Sequence, residues 1–122
     1  MKESGEMYLE TILIESKIHA NVRAVDVAAR LGVTRPSASR ALSKLREEDC
    51  ILVNESGYIT FTPKGLEIAE KIYERHNVLT ALLVRAGVDE ETAASDACKI
   101  EHVISDRTFE AIKRSHKGQD VK

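Results

Sequence analysis

Between Val25 and Phe61 two helix-forming runs are followed by two β-forming runs, an order that few small folds accommodate. Val25-Asp26-Val27-Ala28-Ala29-Arg30-Leu31 reads as a short helix stopping at Gly32, a residue suited to the left-handed position after a helix. Thr34 is placed to cap the next helix, and Pro36 fits its first turn, where a missing N–H costs little. That helix carries Ala38, Ala41, Leu42 and Leu45 at helical spacing and extends to Glu48. Two short helices joined by a Gly-containing turn make a helix-turn-helix. Ile51-Leu52-Val53 and Tyr58-Ile59-Thr60-Phe61 follow at once, joined by Asn54-Glu55-Ser56-Gly57, and read as a β-hairpin. A helix-turn-helix followed by a hairpin is a winged helix.

A helix from Ser4 or Gly5 to Lys17 precedes this motif, with Met7, Leu9, Ile12, Leu13 and Ile14 as its apolar positions. Behind the hairpin, Thr62 caps and Pro63 opens a long helix through Ile68, Ile72, Val78, Leu79, Leu82 and Leu83 to Gly87, with His76 partway along. Asp89-Glu90-Glu91 starts another, where acids suit the N-terminal dipole; it carries Ala93, Ala97, Ile100, Val103 and Ile104. Ser105 or Asp106 caps a last short helix with Phe109 and Ile112, and a polar, disordered tail is expected from His116 to Lys122. The expected fold is mainly α: an N-terminal winged helix-turn-helix over 1–63, then an α-helical domain over 64–122. Aromatics make up only 4% and Trp is absent, so the core should be aliphatic. The longest apolar run, Val78 to Val84 with Thr80 inside it, falls far short of the ~20 residues of a membrane span. No signal peptide is visible, and the cytoplasm is the expected compartment.

The chemistry concentrates in Ala97-Cys98-Lys99-Ile100-Glu101-His102. In a helix, Cys98, Glu101 and His102 share one face at i, i+3 and i+4. Thiolate, carboxylate and imidazole form a mixed S/O/N donor set that a borderline transition metal accepts. Taken alone, the three also fit a buried Cys beside a surface Glu and a hydrogen-bonded His. Cys50 and Cys98 are too few for a disulfide framework, and thiols in a reducing compartment are free to bind metal. The net charge of -2 conceals an asymmetry: Arg35, Arg40, Lys44 and Arg46 form an acid-free basic stretch, whereas acids dominate Asp89 to Glu110. A basic element ahead of an acidic half is the footprint of polyanion binding at one end. Arg35, Ser37, Ser39 and Arg40 occupy the first turns of the second helix of the motif, the part that enters a major groove, and Thr34 and Pro36 shape its start. Arg40 is the best base reader, because Arg grips guanine O6 and N7 bidentately. Arg23, Lys44 and Arg46 suit phosphate contacts. An enzyme is not expected. Cys98 and His102 could pair as nucleophile and base, but no third orienting group, oxyanion loop or Gly-rich phosphate cradle accompanies them. A structural zinc site favours four Cys/His ligands, and only one of each lies here.

Several motifs recur in order over nearly the whole chain: Glu6-Met7-Tyr8-Leu9, Thr62-Pro63-Lys64-Gly65, Arg75-His76, Gly87-Val88-Asp89, and the Ala97–His102 run with Ser105-Asp106 after it. In these the chain resembles the DtxR/MntR family of metal-dependent repressors, in its short two-domain form. The resemblance implies a helical dimerisation domain, a homodimer on palindromic operator DNA, and a metal site of Met7, Cys98, Glu101 and His102. It also implies departures. Of the toxin-repressor branch's ancillary ligands only His76 matches, with Thr80 and Ala94 in place of a carboxylate and an imidazole. A manganese-type second site would draw on Glu10, His76 and Glu101, with Cys98 replacing one carboxylate. The expected function is a metal-activated repressor of metal-uptake genes. Two sulfur ligands favour Fe2+ over hard Mn2+, with Co2+, Ni2+ or Zn2+ substituting in vitro. A Mn2+-responsive repressor, or a winged-helix regulator with a purely structural metal, are the alternatives.

Overall fold

The computed structural model describes the backbone of residues 3–120 and the side chains of residues 4–116. Six helices and one hairpin follow in order: α1 Glu3–Ile18, α2 Ala24–Leu31, α3 Arg35–Glu47, β1 Ile51–Val53, β2 Ile59–Phe61, α4 Pro63–Arg85, α5 Glu90–Ile100 and α6 Asp106–Asp120. They form two compact units, one up to Glu70 and one from Lys71. The fold is mainly α, as the sequence predicts.

In the first unit α1 buries Leu9, Ile12 and Leu13, α2 buries Val27 and Ala28, and α3 buries Ala38, Leu42 and Leu45. These positions follow the helical repeat, so each helix presents one apolar stripe. The turn between α2 and α3 is closed as expected. Gly32 takes φ 69, and the Val33 N–H wraps back to the Ala28 carbonyl at 3.1 Å. Thr34 Oγ1 then accepts the Ser37 N–H at 3.2 Å and caps α3. β1 and β2 pair antiparallel with Leu52 opposite Thr60, and Val22 adds an isolated bridge to Ile59. Between the strands Asn54 Oδ1 accepts both the Ser56 and Tyr58 N–H groups at 2.9 Å. Tyr58, expected in the second strand, therefore belongs to the turn.

Thr62 Oγ1 accepts the Gly65 N–H at 3.1 Å and donates to the Asp49 carbonyl at 2.7 Å. Gly65 lies so close to β1 that a Cβ there would meet the Cys50 carbonyl oxygen at 1.8 Å. Only glycine fits. Cys50 is fully buried, and that burial raises the pKa of its thiol.

The second unit packs Ile72 and Leu79 of α4, Ala93 and Ala97 of α5, and Phe109 of α6. α4 ends two residues before Gly87, whose φ of 108 lets the Val88 N–H return to the Leu83 carbonyl at 3.0 Å. Asp89 caps α5 by accepting the Thr92 N–H at 3.0 Å. Ser105 supplies the hydroxyl before α6, accepting the Thr108 N–H at 3.1 Å. α6 continues to Asp120, so the expected polar tail from His116 is helical over its first five residues and otherwise lies outside the described residues. No helix of the described residues is long and apolar enough to cross a membrane.

Candidate metal centre and DNA-binding face

Helix α5 stops sooner than the spacing of its side chains suggests. Ile100 is its last residue, Glu101 is the cap with helical φ and ψ, and the Glu101 N–H still bonds to the Ala97 carbonyl. Helical conformation thus persists far enough for Cys98 and Glu101 to share a face, while His102 follows in the turn. One ligand atom from each of Cys98, Glu101 and His102 lies within 4.8 Å of the others. The Glu101 and His102 side chains are fully buried, and His102 Nε2 stands 3.4 Å from Glu101 Oε1. On the other oxygen, His76 Nδ1 of α4 lies 2.9 Å from Glu101 Oε2. The carboxylate therefore sits between two imidazoles.

Glu101 Oε1 makes no hydrogen bond among the described residues although it is buried. A buried carboxylate oxygen without a donor is costly, and a cation offsets that cost. A metal with bonds of about 2.1 Å holds O and N ligands roughly 3.0–3.4 Å apart for angles between octahedral and tetrahedral. The Glu101–His102 separation lies at the upper end of that span. With the thiol of Cys98 alongside, the donor set fits a divalent transition metal.

The segment that carries these ligands is gripped from α4. Arg75, only 6% exposed, donates from Nη1 to the carbonyls of Glu101 at 3.2 Å and Ile104 at 3.1 Å. Its Nη2 pairs with Asp106, the first residue of α6, and its guanidinium lies 5.3 Å from the centroid of the Phe109 ring. Lys71 pairs with the same carboxylate at 3.0 Å. The hydrogen bond from Lys71, then the charges of Lys71 and Arg75, hold the Asp106 carboxyl below its ordinary pKa.

The remaining expected ligands lie on α1. Glu10 is buried, Met7 is half-buried, and the two stand at i and i+3 of that helix. The expected DNA contacts lie on one stretch. Arg35, Pro36, Ser39, Arg40, Lys44 and Arg46 are all exposed on α3, with Thr34 at its cap and Ser37 half-buried. Arg40 Nη2 reaches Ser37 Oγ at 3.3 Å. Arg23 stands apart in the loop before α2, stacked over the ring of Tyr58 at 4.8 Å and bonded to its hydroxyl at 3.3 Å.

Residues 1–65 match the model described as "Iron dependent repressor, N-terminal DNA binding domain". Residues 62–117 match "Iron dependent repressor, metal binding and dimerisation domain". The chain belongs to the DtxR/MntR family of metal-dependent transcriptional repressors. It is 33% identical over 115 residues to an uncharacterised HTH-type transcriptional regulator of Methanocaldococcus jannaschii, covering 93% of this chain and 92% of that one. It is 36% identical over 89 residues to the transcriptional regulator MntR of Salmonella typhimurium, covering 73% of this chain and 57% of that one. Among solved structures it resembles a manganese-dependent transcriptional repressor in complex with manganese, with a TM-score of 0.84 and 26% identity over 93% of this chain and 52% of that one. The chain thus spans about half the length of that structure.

For a DtxR/MntR-family chain, Thr80 and Ala94 mark a departure that the geometry bears on. The Thr80 hydroxyl is engaged in its own helix, donating to the His76 carbonyl at 2.7 Å. With Ala94 it lines an open cleft of about 920 Å³ between α4 and α5. His76 is instead drawn to Glu101. The sequence points to no site role for Arg75 or Tyr58, and for Asp106 only to a place at the start of α6. A signal for Arg75 existed: it interrupts the apolar stripe Ile68, Ile72, Leu79 with a charge at a core-facing position. Nothing comparable marks Tyr58, whose partner Arg23 lies 35 residues away.

Proposed function

We propose that this chain is a homodimeric, cytoplasmic repressor of metal-uptake genes, activated by Fe2+ held by Cys98, Glu101 and His102. The observation that carries the reading is the buried Glu101 carboxylate, flanked by two imidazoles and by the Cys98 thiol, with one oxygen lacking any hydrogen bond. Met7 joins this set on the family resemblance, as does Glu10 for a second site with His76. Bound metal supplies positive charge to the buried carboxylate, and operator binding is favoured by the differential affinity of metal for the DNA-competent state. On the DNA side, Arg40 reads a guanine while Arg23, Lys44 and Arg46 meet phosphates. A palindromic operator matches the two-fold symmetry of a dimer.

Fe2+ is preferred because a thiolate and a thioether reward Fe2+ and later first-row ions more than Mn2+. One observation favours Mn2+ instead: His76 beside Glu101 supplies nitrogen and oxygen donors without sulfur. Two of the solved structures that this chain resembles are named as a manganese regulator and a manganese-dependent transcriptional repressor. Operator titrations against Fe2+, Mn2+, Co2+ and Ni2+ at matched low concentrations decide between the two. Equal response to Fe2+ and Mn2+ sinks the sulfur-based choice, and Met7→Asp with Cys98→Glu should move the response toward Mn2+. The same titrations with chelator separate a sensor from a structural metal. Operator affinity should fall at least about tenfold, a coupling of roughly 1.4 kcal/mol or more, while helical content stays. Unfolding by chelator supports the structural alternative.

A further inference from the structure

A guanidinium on the core face of α4 needs a reason, because burying a charge without compensation is costly. Its compensation is specific in this chain. Arg75 donates to the carbonyls of Glu101 and Ile104 on the connector between α5 and α6 and pairs with Asp106, the first residue of α6. His102 lies inside that span. α5 has ended at Ile100 and α6 begins at Asp106, so helical hydrogen bonding alone does not fix residues 101–105. The carbonyls after a helix end lack intrahelical partners, and here a side chain satisfies two of them. The Phe109 ring of α6 lies against the guanidinium, its centroid 5.3 Å from Cζ.

We propose that Arg75 is a positioning residue of the metal centre: by holding the carbonyls of Glu101 and Ile104 and the side chain of Asp106 it sets where Glu101 and His102 present their ligand atoms. The proposal rests on the metal-centre reading given above. Arg75 touches no metal ligand atom. It acts through the carbonyl of one ligand residue and the carbonyl two residues beyond the other. A lysine keeps the charge but not the planar fork that serves several acceptors at once, so Arg75→Lys separates geometry from charge.

The test is a Co2+ titration followed by visible absorption, with far-UV circular dichroism of the metal-free protein alongside. Outer partners of metal ligands typically affect affinity about 10- to 100-fold. For Arg75→Lys we expect unchanged helical content, Co2+ affinity lower by at least about tenfold, and shifted d–d and thiolate-to-cobalt bands. A variant that melts earlier without metal yet binds Co2+ with unchanged affinity and spectrum reduces Arg75 to a structural role and overturns the proposal. Should Arg75→Lys fail to fold, Asp106→Asn decides, since Asp106 is exposed and its carboxylate anchors the guanidinium that holds the two carbonyls. A shifted Co2+ spectrum supports the proposal, and an unchanged one overturns it. If the unmodified protein binds no Co2+, or Cys98→Ala binds it equally well, the metal centre falls and this role with it. If Co2+ binds through Cys98 and Arg75→Lys matches the unmodified protein, only the role of Arg75 falls.

Discussion

Leu9, Ile12, Val27, Ala38, Leu42, Leu45, Ile51 and Ile59 fill the interior of the unit before Lys71, whereas beyond it Ile72, Leu79, Ala93, Ala97 and Phe109 share the interior with Arg75 and Glu101. Three buried polar residues of the first unit find neutral or charged partners within it. Thr11 donates to the Met7 carbonyl at 2.8 Å, Glu15 accepts from Arg30 at 2.9 Å, and Thr62 donates to the Asp49 carbonyl at 2.7 Å. In the second unit Glu101 Oε1 has no such donor. Apolar side chains fill most of the first interior, and the second keeps a charge that a bound cation would compensate. A ligand can change stability only where it binds the folded state in preference to the unfolded one. Apart from α1, which carries the expected ligands Met7 and Glu10, the first unit holds no proposed metal ligand, so metal should act chiefly on the second unit and the DNA-reading helices α2 and α3 should fold the same way with or without it.

The largest expected effect tests that division. Phe109→Ala should cost about 3–5 kcal/mol and Leu45→Ala about 2–5 kcal/mol, since each empties a fully enclosed site. Metal at a hundredfold excess over its Kd adds about 2.7 kcal/mol to whatever it binds. Hydrogen exchange followed residue by residue should show metal restoring protection to α4–α6 amides in Phe109→Ala. In Leu45→Ala the α2 and α3 amides should gain none. Equal recovery in both units breaks the comparison.

Next in size is Glu101→Gln, which keeps the shape and removes the charge. Without metal, glutamine relieves the desolvation cost of a buried carboxylate and keeps an oxygen and an N–H for its neighbours, whereas a metal centre loses an anionic ligand. Metal-free thermal stability should hold or rise, and Co2+ affinity should fall by more than about tenfold, beyond what an outer partner costs. A large drop in metal-free stability would mean that Glu101 is structural.

Smaller still are changes on the exposed face of α3. Arg40→Ala should lose roughly 1–3 kcal/mol at one base position and relax specificity there. Lys44→Ala should weaken all DNA alike and lower the salt slope by about one unit. Neither should alter Co2+ affinity of the free protein. Unchanged base preference in Arg40→Ala places sequence reading elsewhere.

The winged helix was readable because its signals are local. Gly32, Thr34 and Pro36 each act within a few residues, and the apolar stripes of α2 and α3 follow one period. The Cys98–Glu101–His102 grouping was readable for the same reason, although α5 ends before two of the three. What escaped was long-range. Arg75 meets Glu101, Ile104 and Asp106 across 26 to 31 residues, whereas the approach of His76 to Glu101 across 25 was implied by the family resemblance and not by local spacing. Helical periodicity says which face of α4 is buried, but not which carbonyls wait on the other side. The close approach of Gly65 to the Cys50 carbonyl was hidden in the same way, since a glycine in a helix's first turn carries no mark of what lies beside it.

The smallest effect separates the two units by how they cap their helices. Thr34 caps α3 with a hydroxyl, whereas Asp89 caps α5 with a carboxylate whose pKa is lowered from 3.8, chiefly by the hydrogen bond from the Thr92 N–H. Thr34→Ala should cost about 1 kcal/mol, the same at every pH, because nothing in that cap titrates. Asp89 behaves otherwise. Its carboxyl is more acidic folded than unfolded, so its contribution is complete above the ordinary value of 3.8 and disappears as pH falls through the lowered folded value. Acidification below about pH 4 should thus loosen the start of α5 before it touches the start of α3. Asp89→Asn keeps a capping oxygen and removes the titration. Hydrogen exchange of the Thr92 amide, followed from pH 5 downward and corrected for intrinsic rates, should lose its acid step in that variant. If the step persists, acid is acting elsewhere in the second unit, and Asp106, whose carboxyl Lys71 and Arg75 also hold below its ordinary range, is the group to replace next.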